Sequence, residues 1–415
     1  MLFQNYLQTM HQFCQYPALS AELNSAPYSS SVHVLAIGKT AWKMASLTVK
    51  ALQKRGIAYD GYVLTKYGHL QEEITGLIAL EAGHPLPDEN TLTHSSQIAT
   101  WLQSIPAEED LIVLLSGGSS ALFEMIPEQI SLQTLQKYYK DLICSGETIA
   151  SINSKRTELS LVKGGKALEL VKSNKVLVYA VSDVAHNDPQ VIGSSPFTPL
   201  DGGERTEFGY LYTLENKSID YRIVADNDMF CRLLATNLQD SGFSTHIDGT
   251  YYKCSVSRFS EYIREILRKA SASRYRAKKP IIYVMGGELT LRVTAKGTGG
   301  RCSHLALSVA NAVSKLPNTS FFCFATDGND NLPGSGGAFV DSNSRILLNK
   351  AGSTITKTIK EYDSYTALSA IQHILPAPLL PTNVNDVFLL CVGYDFENPL
   401  PSDLDNEVDI FADSI

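Results

Sequence analysis

The feature that most constrains the fold is an alternation of apolar, β-branched runs of strand length with helical segments. The runs SVHVLAIG around Val34, LIVLLSGG around Ile112 and KVLVYAVSD around Val178 are apolar along most of their length. Strands of this kind are buried on both faces, as in parallel sheets covered by helices. The segment TAWKMASLTVKALQKRG after the first run has helical apolar spacing, a basic end and Gly56 as a stop signal. The first half therefore predicts a doubly wound, Rossmann-like α/β domain.

A charged, helix-like stretch interrupts the strand series before the last third of the chain. After it, PIIYVMGGELTLRV, FFCFATDGND and DVFLLCVGY resume the strands, with helical segments between them. A chain of 415 residues is expected to hold about two domains. We predict a larger N-terminal domain over residues 1–248, a helical linker over residues 249–279 and a smaller C-terminal α/β domain over residues 280–415.

The composition excludes several functional classes. With 35 basic and 43 acidic side chains, the formal net charge is −8 and no long Lys/Arg run occurs, so we expect no nucleic-acid partner. The 7 cysteines are widely spaced and include no CxxC pair, which indicates reduced thiols. The chain has no run of about 18 apolar residues, and its N-terminus lacks the pattern of a signal peptide. We expect a cytoplasmic, unprocessed protein without a membrane partner; a homodimer is one assembly state that the sequence leaves open.

The densest polar signal is a Gly/Ser loop that follows directly on the buried run LIVLL. Its members are Ser116, Gly117, Gly118, Ser119 and Ser120. Glycines allow close approach to the backbone, and successive N–H groups there form a concave site for phosphate or carboxylate. The loop is neither a Walker A sequence nor a dinucleotide GxGxxG. Because Gly and Ser are also the commonest turn residues, a tight strand-to-helix turn is the alternative.

Two charged side chains stand at comparable strand ends in the first half. Lys39 follows the first strand, where open parallel sheets present ligand-binding loops, and an ammonium there can neutralise a transferring phosphoryl group. Asp183 follows KVLVYAV, beside Asn187 and Asp188. One or two carboxylates with substrate phosphates are the usual ligands of Mg²⁺. The plainer alternatives are a solvated lysine in a first helical turn and a loop that uses Asp and Asn as turn formers.

The second half offers fewer candidates. Arg301 begins a helix after a glycine-rich approach, where its paired N–H groups can bind an anionic substrate or a γ-phosphate, or form a salt bridge with Glu288. Asp327 lies in a glycine-rich loop after a strand, without the spacing of an EF-hand. Cys302 and His304 have no partners at zinc spacing, so we interpret them as packing or helix-start residues.

Taken in order, several segments resemble the MOFRL family of bacterial and archaeal glycerate 2-kinases. They are GKTAWKMA, YGH, EAGHPLPD, LLSGGSSAL, CSGETIASINSKRTELSLVKGGKAL, VSDVAHNDPQVIGSSP, GGELTLRV with GTGGR and LAL, ATDGNDN, and TNVNDV. The resemblance runs from about Val32 to Val392. It implies Mg²⁺-dependent transfer of the γ-phosphoryl of ATP to the 2-hydroxyl of D-glycerate, giving 2-phosphoglycerate and ADP. It also implies an active site in the cleft between a larger N-terminal and a smaller C-terminal α/β domain.

Position by position, the resemblance implies roles for the candidates named above. Lys39 and Arg301 correspond to the basic pair beside the transferred phosphoryl, and the Ser116–Ser120 loop to the phosphate-binding loop. Asp183 corresponds to the catalytic carboxylate on the metal side. We expect Arg156 and Asp327 to bind the substrate. For the general base, Asp183 and Asp327 are the first candidates and His84 is a third.

One departure from the family pattern bears on activity. The family follows its second-domain arginine with Asn-Gln-Glu, whereas Arg301 is followed here by Cys302, Ser303 and His304. If these side chains touch substrate or metal, activity is changed or lost. A non-catalytic, nucleotide- or ligand-binding relative of the family is therefore one alternative function. A hydroxypyruvate reductase is another, and the absence of GxGxxG after the first strand disfavours it.

Overall fold

The computed structural model describes residues 2–144, 149–207, 209–271, 280–332, 334–377 and 382–394. The α-helices are α1 (Leu2–Phe13), α2 (Pro17–Ser25), α3 (Ala41–Lys54), α4 (Glu89–Ser104), α5 (Ser119–Leu122), α6 (Leu132–Cys144), α7 (Ile149–Leu159), α8 (Asn227–Asp240), α9 (Val256–Ser271), α10 (Arg301–Val313), α11 (Ser344–Lys350), α12 (Ile355–Glu361) and α13 (Ser364–Ser369). The strands are β1 (Ser31–Ile37), β2 (Ala58–Lys66), β3 (Leu77–Ala82), β4 (Asp110–Leu115), β5 (Lys175–Val181), β6 (Glu204–Arg205), β7 (Gly209–Leu214), β8 (Lys217–Ala225), β9 (Thr245–Tyr252), β10 (Ile281–Gly287), β11 (Thr319–Ala325), β12 (Ser335–Asp341), β13 (Ile374–Pro376) and β14 (Asp386–Val392).

The chain divides into two compact units. The N-terminal unit is Gln15–Asp226, and the C-terminal unit comprises the described residues of Met1–Cys14 and Asn227–Ile415. This division differs from the expected limits at residues 248 and 280. Helix α1 belongs with the C-terminal unit because Tyr6 stacks on Phe324 of β11, with 3.8 Å between ring centroids. The expected linker also overlaps β9, which pairs with β10, and the residues after it form α9, which packs on α10.

The N-terminal unit is built on an eight-stranded sheet in the order β3-β2-β1-β4-β5-β8-β7-β6. The strands from β3 to β8 are parallel to their neighbours, and β7 and β6 are antiparallel. Strands β1, β4 and β5 lie next to one another in the middle and are buried along nearly their whole length. This is the predicted parallel α/β sheet, and the predicted fold class is confirmed.

The C-terminal unit contains a six-stranded mixed sheet in the order β13-β12-β11-β14-β10-β9. Strands β10 and β9 are parallel, whereas β14 runs antiparallel to both of its neighbours, β10 and β11. Helix α10 packs against β11, β12 and α9. The sequence predicted a smaller α/β unit here but not the strand directions, because a short apolar run has the same pattern in a parallel and in an antiparallel sheet.

Two further expectations can be compared with the structure. In the described part of the chain, Cys14, Cys231, Cys254, Cys302, Cys323 and Cys391 form no disulfide bonds. Across the described part of the chain, no helix has the length and apolar character needed to cross a membrane.

A histidine bridges three segments near the start of the central strands. His33 of β1 is 7% exposed; its Nδ1 lies 2.6 Å from Asp60 Oδ1 of β2, and its Nε2 lies 2.6 Å from Glu109 Oε2, just before β4. Burial alone lowers the pKa of His33, but the hydrogen bonds to the two carboxylates outweigh it, so the pKa is raised. The protonated ring donates to both carboxylates, which holds the starts of β1, β2 and β4 together.

We expect this bridge to make stability depend on pH. The folded-state pKa of His33 is raised. The contribution of protonated His33 to the free energy of unfolding is therefore complete below the ordinary histidine pKa, and it is lost as the pH rises through the folded-state pKa. His33→Gln should lower the free energy of unfolding by about 2 kcal/mol near pH 6 and by much less near pH 8.5. Chemical denaturation at the two pH values measures this difference.

His246→Gln is the matched control, because His246 is 55% exposed and its nearest carboxylate oxygen, on Asp248, is 3.9 Å away. This variant should change the unfolding free energy little at either pH. A loss for His33→Gln that is the same at both pH values would contradict the bridge.

Candidate active site

Three loops meet at one edge of the N-terminal sheet. Strands β1, β4 and β5 are adjacent and parallel, so the segments after Ile37, Leu115 and Val181 leave the sheet on the same side. These segments carry Lys39, the Ser116–Ser120 loop and Asp183 respectively. The carboxyl edge of a parallel sheet is where open α/β folds bind ligands.

Direct hydrogen bonds join the first two loops. Lys39 N donates to Gly117 O over 2.9 Å, and Thr40 N donates to Ser116 Oγ over 3.2 Å. Gly38 has a φ of 128°, and a Cβ atom on it would lie 2.2 Å from Ser116 Oγ. Gly38 is therefore required for the close approach of these two segments. The structure thus brings the predicted lysine and the predicted Gly/Ser loop together.

The glycine in the middle of the loop is bordered by two basic side chains. Gly118 has a φ of 91°, and a Cβ atom on it would lie 3.0 Å from His84 Cδ2 and 3.3 Å from Lys39 Cγ. Helix α5 after it has only four residues, so the long helix that would add a dipole to this site is missing from the loop. Of the two neighbouring side chains, Lys39 carries the positive charge.

Both histidines near the loop are neutral at pH 7. Burial, with smaller effects from Lys39 and Lys66, lowers the pKa of His84 to about 4. Burial also lowers the pKa of His69, whose Nδ1 lies 2.9 Å from Lys39 O. The positive charge that lowers these values belongs to Lys39 and Lys66. Positive charge beside a glycine loop is suited to an anion.

The loop after β5 is strained and attached to the Gly/Ser loop. Four of its residues have positive φ values between 50° and 64°, which residues other than glycine rarely adopt; they are His186, Asn187, Ser194 and Ser195. Ser194 Oγ lies 2.8 Å from Ser120 Oγ. Such strain persists only where surrounding structure maintains it, and it is concentrated at functional sites.

Hydrogen bonds from a second glycine pair maintain that strain. Gly164 N donates to Ser194 O over 3.0 Å, and Gly165 N donates to Ser195 O over 2.7 Å. The next residue back, Lys163, is 1% exposed and forms an ion pair with Glu124, which is fully buried. The sequence did not indicate this pair, because Glu124 and Lys163 are far apart in the chain and only the folded structure places them together.

Arg156 of α7 lies beside the same buried pair. Its guanidinium carbon is 4.5 Å from the centroid of the Tyr139 ring, and the Tyr139 hydroxyl donates to Glu124. Burial lowers the pKa of Arg156. Its Nε is buried and has no hydrogen-bond partner within the described residues. The guanidinium is thus held by stacking and keeps donor capacity for an anion.

Asp183 lies two residues past β5, at the same edge as the loops already described. A second carboxylate, which was not predicted from the sequence, follows the neighbouring strand: Asp226 is 4% exposed and directly follows β8. Asn187 Nδ2 donates to Asp226 Oδ2. The sequence did contain a pattern that could have predicted Asp226: an acidic residue follows the apolar run YRIVA, just as Asp183 follows the apolar run before it.

In the C-terminal unit, Arg301 is the first residue of α10 and faces two carboxylates. Its Nη1 lies 3.7 Å from Glu288 Oε1 and its Nη2 lies 3.3 Å from Asp386 Oδ1. The contact with Glu288 that the sequence left open as an alternative role is therefore present, but Asp386 is closer and was not predicted. Asp386, together with smaller effects from Glu288 and Asp327, raises the pKa of Arg301.

Asp327 follows β11 in the glycine-rich loop, and its Oδ1 accepts a hydrogen bond from Asn329 N over 3.1 Å. The deeper carboxylate in this loop is Asp330, which is 4% exposed. It accepts 2.8 Å hydrogen bonds from the backbone N–H groups of Cys302 and Ser303, and so caps α10. Asp330 fixes the start of the helix from which Arg301 projects.

The three residues that depart from the family pattern are buried within the C-terminal unit. Cys302 and Ser303 are fully buried, and His304 is 6% exposed. Ser303 Oγ accepts from Gly300 N over 2.9 Å, and the ring of His304 stacks on Tyr362 with 5.0 Å between centroids. The interpretation of these residues as packing and helix-start residues agrees with this placement.

A cavity of about 370 Å³ lies elsewhere in the C-terminal unit. The residues that line it are Tyr251, Tyr252, Lys253, Cys254, Arg258, Phe259 and Tyr262. None of them was predicted as a site residue from the sequence.

The chain matches two protein-family models and is similar in sequence to proteins of known or assigned activity. A domain of unknown function, DUF4147, matches residues 4–220, and the MOFRL family matches residues 281–386. A D-glycerate 2-kinase from Thermotoga maritima is 31% identical over 376 residues, which cover 86% of this chain and 90% of that protein. A putative hydroxypyruvate reductase from Agrobacterium vitis is 27% identical over 358 residues, 80% of this chain and 92% of that protein.

The fold agrees with a solved structure. The crystal structure of a glycerate kinase from Thermotoga maritima matches with a TM-score of 0.83 at 29% identity, over 94% of this chain and 98% of that chain. The family models cover most of both units, and the relatives match nearly the whole chain. The chain therefore belongs to the MOFRL family of glycerate 2-kinases, as its sequence predicts.

Proposed function

We propose that this protein is a glycerate 2-kinase that transfers the γ-phosphoryl of ATP to the 2-hydroxyl of D-glycerate with Mg²⁺. The observation that supports this most strongly is the joining of Lys39 to the Gly117–Gly118 turn at the carboxyl edge of β1 and β4. Phosphoryl transfer depends mostly on positioning and on neutralising charge, and a glycine loop whose backbone is joined to that of a lysine supports both.

In this proposal the Ser116–Ser120 loop binds phosphate through its backbone and hydroxyl groups, and Lys39 neutralises charge that develops on the transferred group. The neutral ring of His84, which borders Gly118, is a hydrogen-bonding group and not an additional charge. With a pKa of about 4 it is a weak base, so the proposed general base is Asp183 or Asp327.

Asp183 is the proposed ligand of Mg²⁺. In the described part of the chain, no three or more His, Cys, Asp or Glu side chains are grouped as a complete metal site. Magnesium does not need such a site, because it commonly keeps several waters and binds one or two carboxylates together with substrate phosphates. A carboxylate beside a phosphate-binding loop therefore fits this ion. Bound Mg²⁺ would neutralise phosphate charge and orient the phosphates.

Arg156 and Asp327 are the proposed substrate-binding residues. Glycerate carries a carboxylate, and the buried, unpartnered Nε of Arg156 within the described residues supplies a donor for an anion of that kind. Arg301 is proposed as the second cation beside the transferred phosphoryl. The proposed setting is the cytoplasm, since the cysteines in the described part of the chain form no disulfide bonds.

Two other functions have less support. The altered Cys302-Ser303-His304 triplet is the reason to consider a non-catalytic relative, and that reason is weakened because these side chains are buried within the C-terminal unit. A hydroxypyruvate reductase needs a nicotinamide site, but the loop after β1 reads GKTAWK and not GxGxxG. Tight binding of NADH or NADPH, measured by fluorescence titration, would support that reductase.

Removing either proposed cation should reduce catalysis. We expect Lys39→Ala and Arg301→Ala each to lower kcat/KM by about 100- to 1000-fold, because each removes charge stabilisation of the transferred phosphoryl. A coupled ADP-release assay with ATP, Mg²⁺ and D-glycerate measures this. The exposed residues Lys50 and Arg345 supply controls, since Lys50→Ala and Arg345→Ala should keep activity within about twofold. Unchanged turnover in both test variants would refute the proposal.

The metal role of Asp183 predicts a specific change in magnesium dependence. Asp183→Asn should raise the Mg²⁺ concentration needed for half-maximal rate by about tenfold or more, because an amide oxygen is a weaker, uncharged ligand. The measurement is a Mg²⁺ titration of turnover at saturating glycerate. Asp188→Asn changes an exposed carboxylate five residues along the same loop and should leave the titration unchanged. Identical shifts in the two variants would argue against a ligand role for Asp183.

A further inference from the structure

We propose that Asp386 is the positioning residue for Arg301: it holds the guanidinium from behind in one orientation, so that the exposed side of the guanidinium meets the transferred phosphoryl. This inference rests on the proposed function, in which Arg301 is the second cation beside the transferred phosphoryl. The sequence pattern around Asp386 assigns it no role.

The sheet places Asp386 where it can act on Arg301. Asp386 is the first residue of β14 and lies opposite Gly287 of β10 and Ala325 of β11. Because β14 is antiparallel to both neighbours, it begins at the edge where they end. Glu288 directly follows β10, and Asp327 lies two residues past β11. Asp386 is therefore in the middle of the polar edge of this sheet.

Several hydrogen bonds fix the backbone around Asp386. Asn227 Nδ2 donates to Val384 O over 2.6 Å and to Asp386 O over 3.1 Å. Thr326 Oγ1 donates to Asn385 O over 2.7 Å. A carboxylate on a backbone held in this way is a rigid point of attachment for a long, flexible side chain.

The two partners differ sharply in exposure. The Arg301 side chain is 40% exposed, whereas the Asp386 side chain is 2% exposed. The guanidinium is thus held on one side by a buried carboxylate and is open on another. Glu288 is 50% exposed at 3.7 Å, so it is the weaker anchor. An arginine loses much rotamer freedom when it acts in one orientation, and a fixed carboxylate removes that freedom before the substrate binds.

Asp386 is unfavourable for folding, which is the second argument for a functional role. Its Oδ2 is buried and has no hydrogen-bond partner among the described residues. Burial raises its pKa to about 7, although Arg301 opposes this, and the charges of Asp330, Asp327 and Glu288 raise it further. A buried carboxylate with three acidic neighbours destabilises the folded state, and residues that cost stability are typical of functional sites.

The sign of the pH effect follows from the groups that face Asp386. They are Arg301 and the thiol of Cys302 on α10, Glu288 after β10, the thiol of Cys323 on β11, Asp327 and Asp330 after β11, and the hydroxyl of Tyr6 on α1. With a folded-state pKa of about 7, Asp386 is ionised above that pH and protonated below it. The Asp386 carboxylate therefore holds Arg301 by charge only above about pH 7. In the unfolded chain the same carboxyl group loses its proton at the lower pH usual for aspartate.

The deciding experiment compares Asp386→Asn with Glu288→Gln in the wild-type and Arg301→Ala backgrounds. We expect Asp386→Asn to lower kcat about 10- to 100-fold with little change in KM for ATP, because a misplaced group chiefly affects the transition state. Glu288→Gln should change kcat less than about threefold. In the Arg301→Ala background, Asp386→Asn should have almost no further effect on kcat, because the two residues act as one unit.

The pH profile separates positioning from a general structural role. The ratio of the wild-type rate to the Asp386→Asn rate cancels the titration of the substrates, and it should rise with pH through about 7. Between the ordinary carboxyl pKa and about pH 7, the unfolding free energy of the wild type should fall relative to that of Asp386→Asn, because only the folded wild type keeps the Asp386 proton there; above about pH 7 this difference should level off. A variant that is folded and at least as stable, yet slower, is the result that supports the proposal.

Failure of this proposal differs from failure of the proposed function. Wild-type kcat in Asp386→Asn, or an equal loss of kcat with and without Arg301, would overturn the positioning role. If the wild type itself does not phosphorylate glycerate, the proposed function fails. The positioning role is then tested by a double-mutant cycle of unfolding free energies for Arg301→Ala and Asp386→Asn. Coupling between residues 301 and 386 that appears above about pH 7 would support the pairing, and its absence would overturn it.

Discussion

The structure of the proposed site depends on the parallel alignment of β1, β4 and β5. Because these strands are adjacent and run in the same direction, the segments after Ile37, Leu115 and Val181 are delivered to one edge of the sheet. Nearly every residue of the three strands is buried on one face of the sheet or the other, so these strands form the centre of the core and fix the positions of the loops that follow them. The positions of the loops therefore depend on these buried strands.

Much of this edge was predictable from the sequence. Long apolar runs that end in Gly, Ser, Lys or Asp indicate both a parallel sheet and the edge where ligands bind, and this pattern alone identifies Lys39, the Ser116–Ser120 loop and Asp183. The hydrogen bond from Lys39 N to Gly117 O shows that two of these segments do meet. Their chemical roles stay predictions, because geometry alone does not show a reaction.

Other parts of the site were not predictable, and the reason is physical. The Glu124–Lys163 pair and the contact of Asp386 with Arg301 each join residues that are distant in the chain. No local pattern of apolar or charged residues specifies such pairs, because they arise only when separate elements pack. The triplet Cys302-Ser303-His304 is a case where local pattern was sufficient, because residues interpreted from the sequence as packing or helix-start residues are buried within the C-terminal unit.

The two units use buried charge in different ways. In the N-terminal unit Glu124 is paired with Lys163 and also accepts from Ser160 Oγ over 2.5 Å, so that carboxylate is well satisfied and supports the fold around the loops. In the C-terminal unit Asp386 keeps one oxygen without a partner among the described residues. The first arrangement leaves no buried charge uncompensated, and the second gives up stability to control an arginine.

The central claim is that this chain phosphorylates D-glycerate at the 2-hydroxyl, and phosphorus NMR of the reaction product tests it most directly. Purified protein with ATP, Mg²⁺ and D-glycerate should give one new phosphomonoester resonance, coupled to the single proton on carbon 2. A resonance coupled to the two protons on carbon 3 would show the wrong regiochemistry. No new resonance, from protein that is folded and binds ATP, would contradict the account.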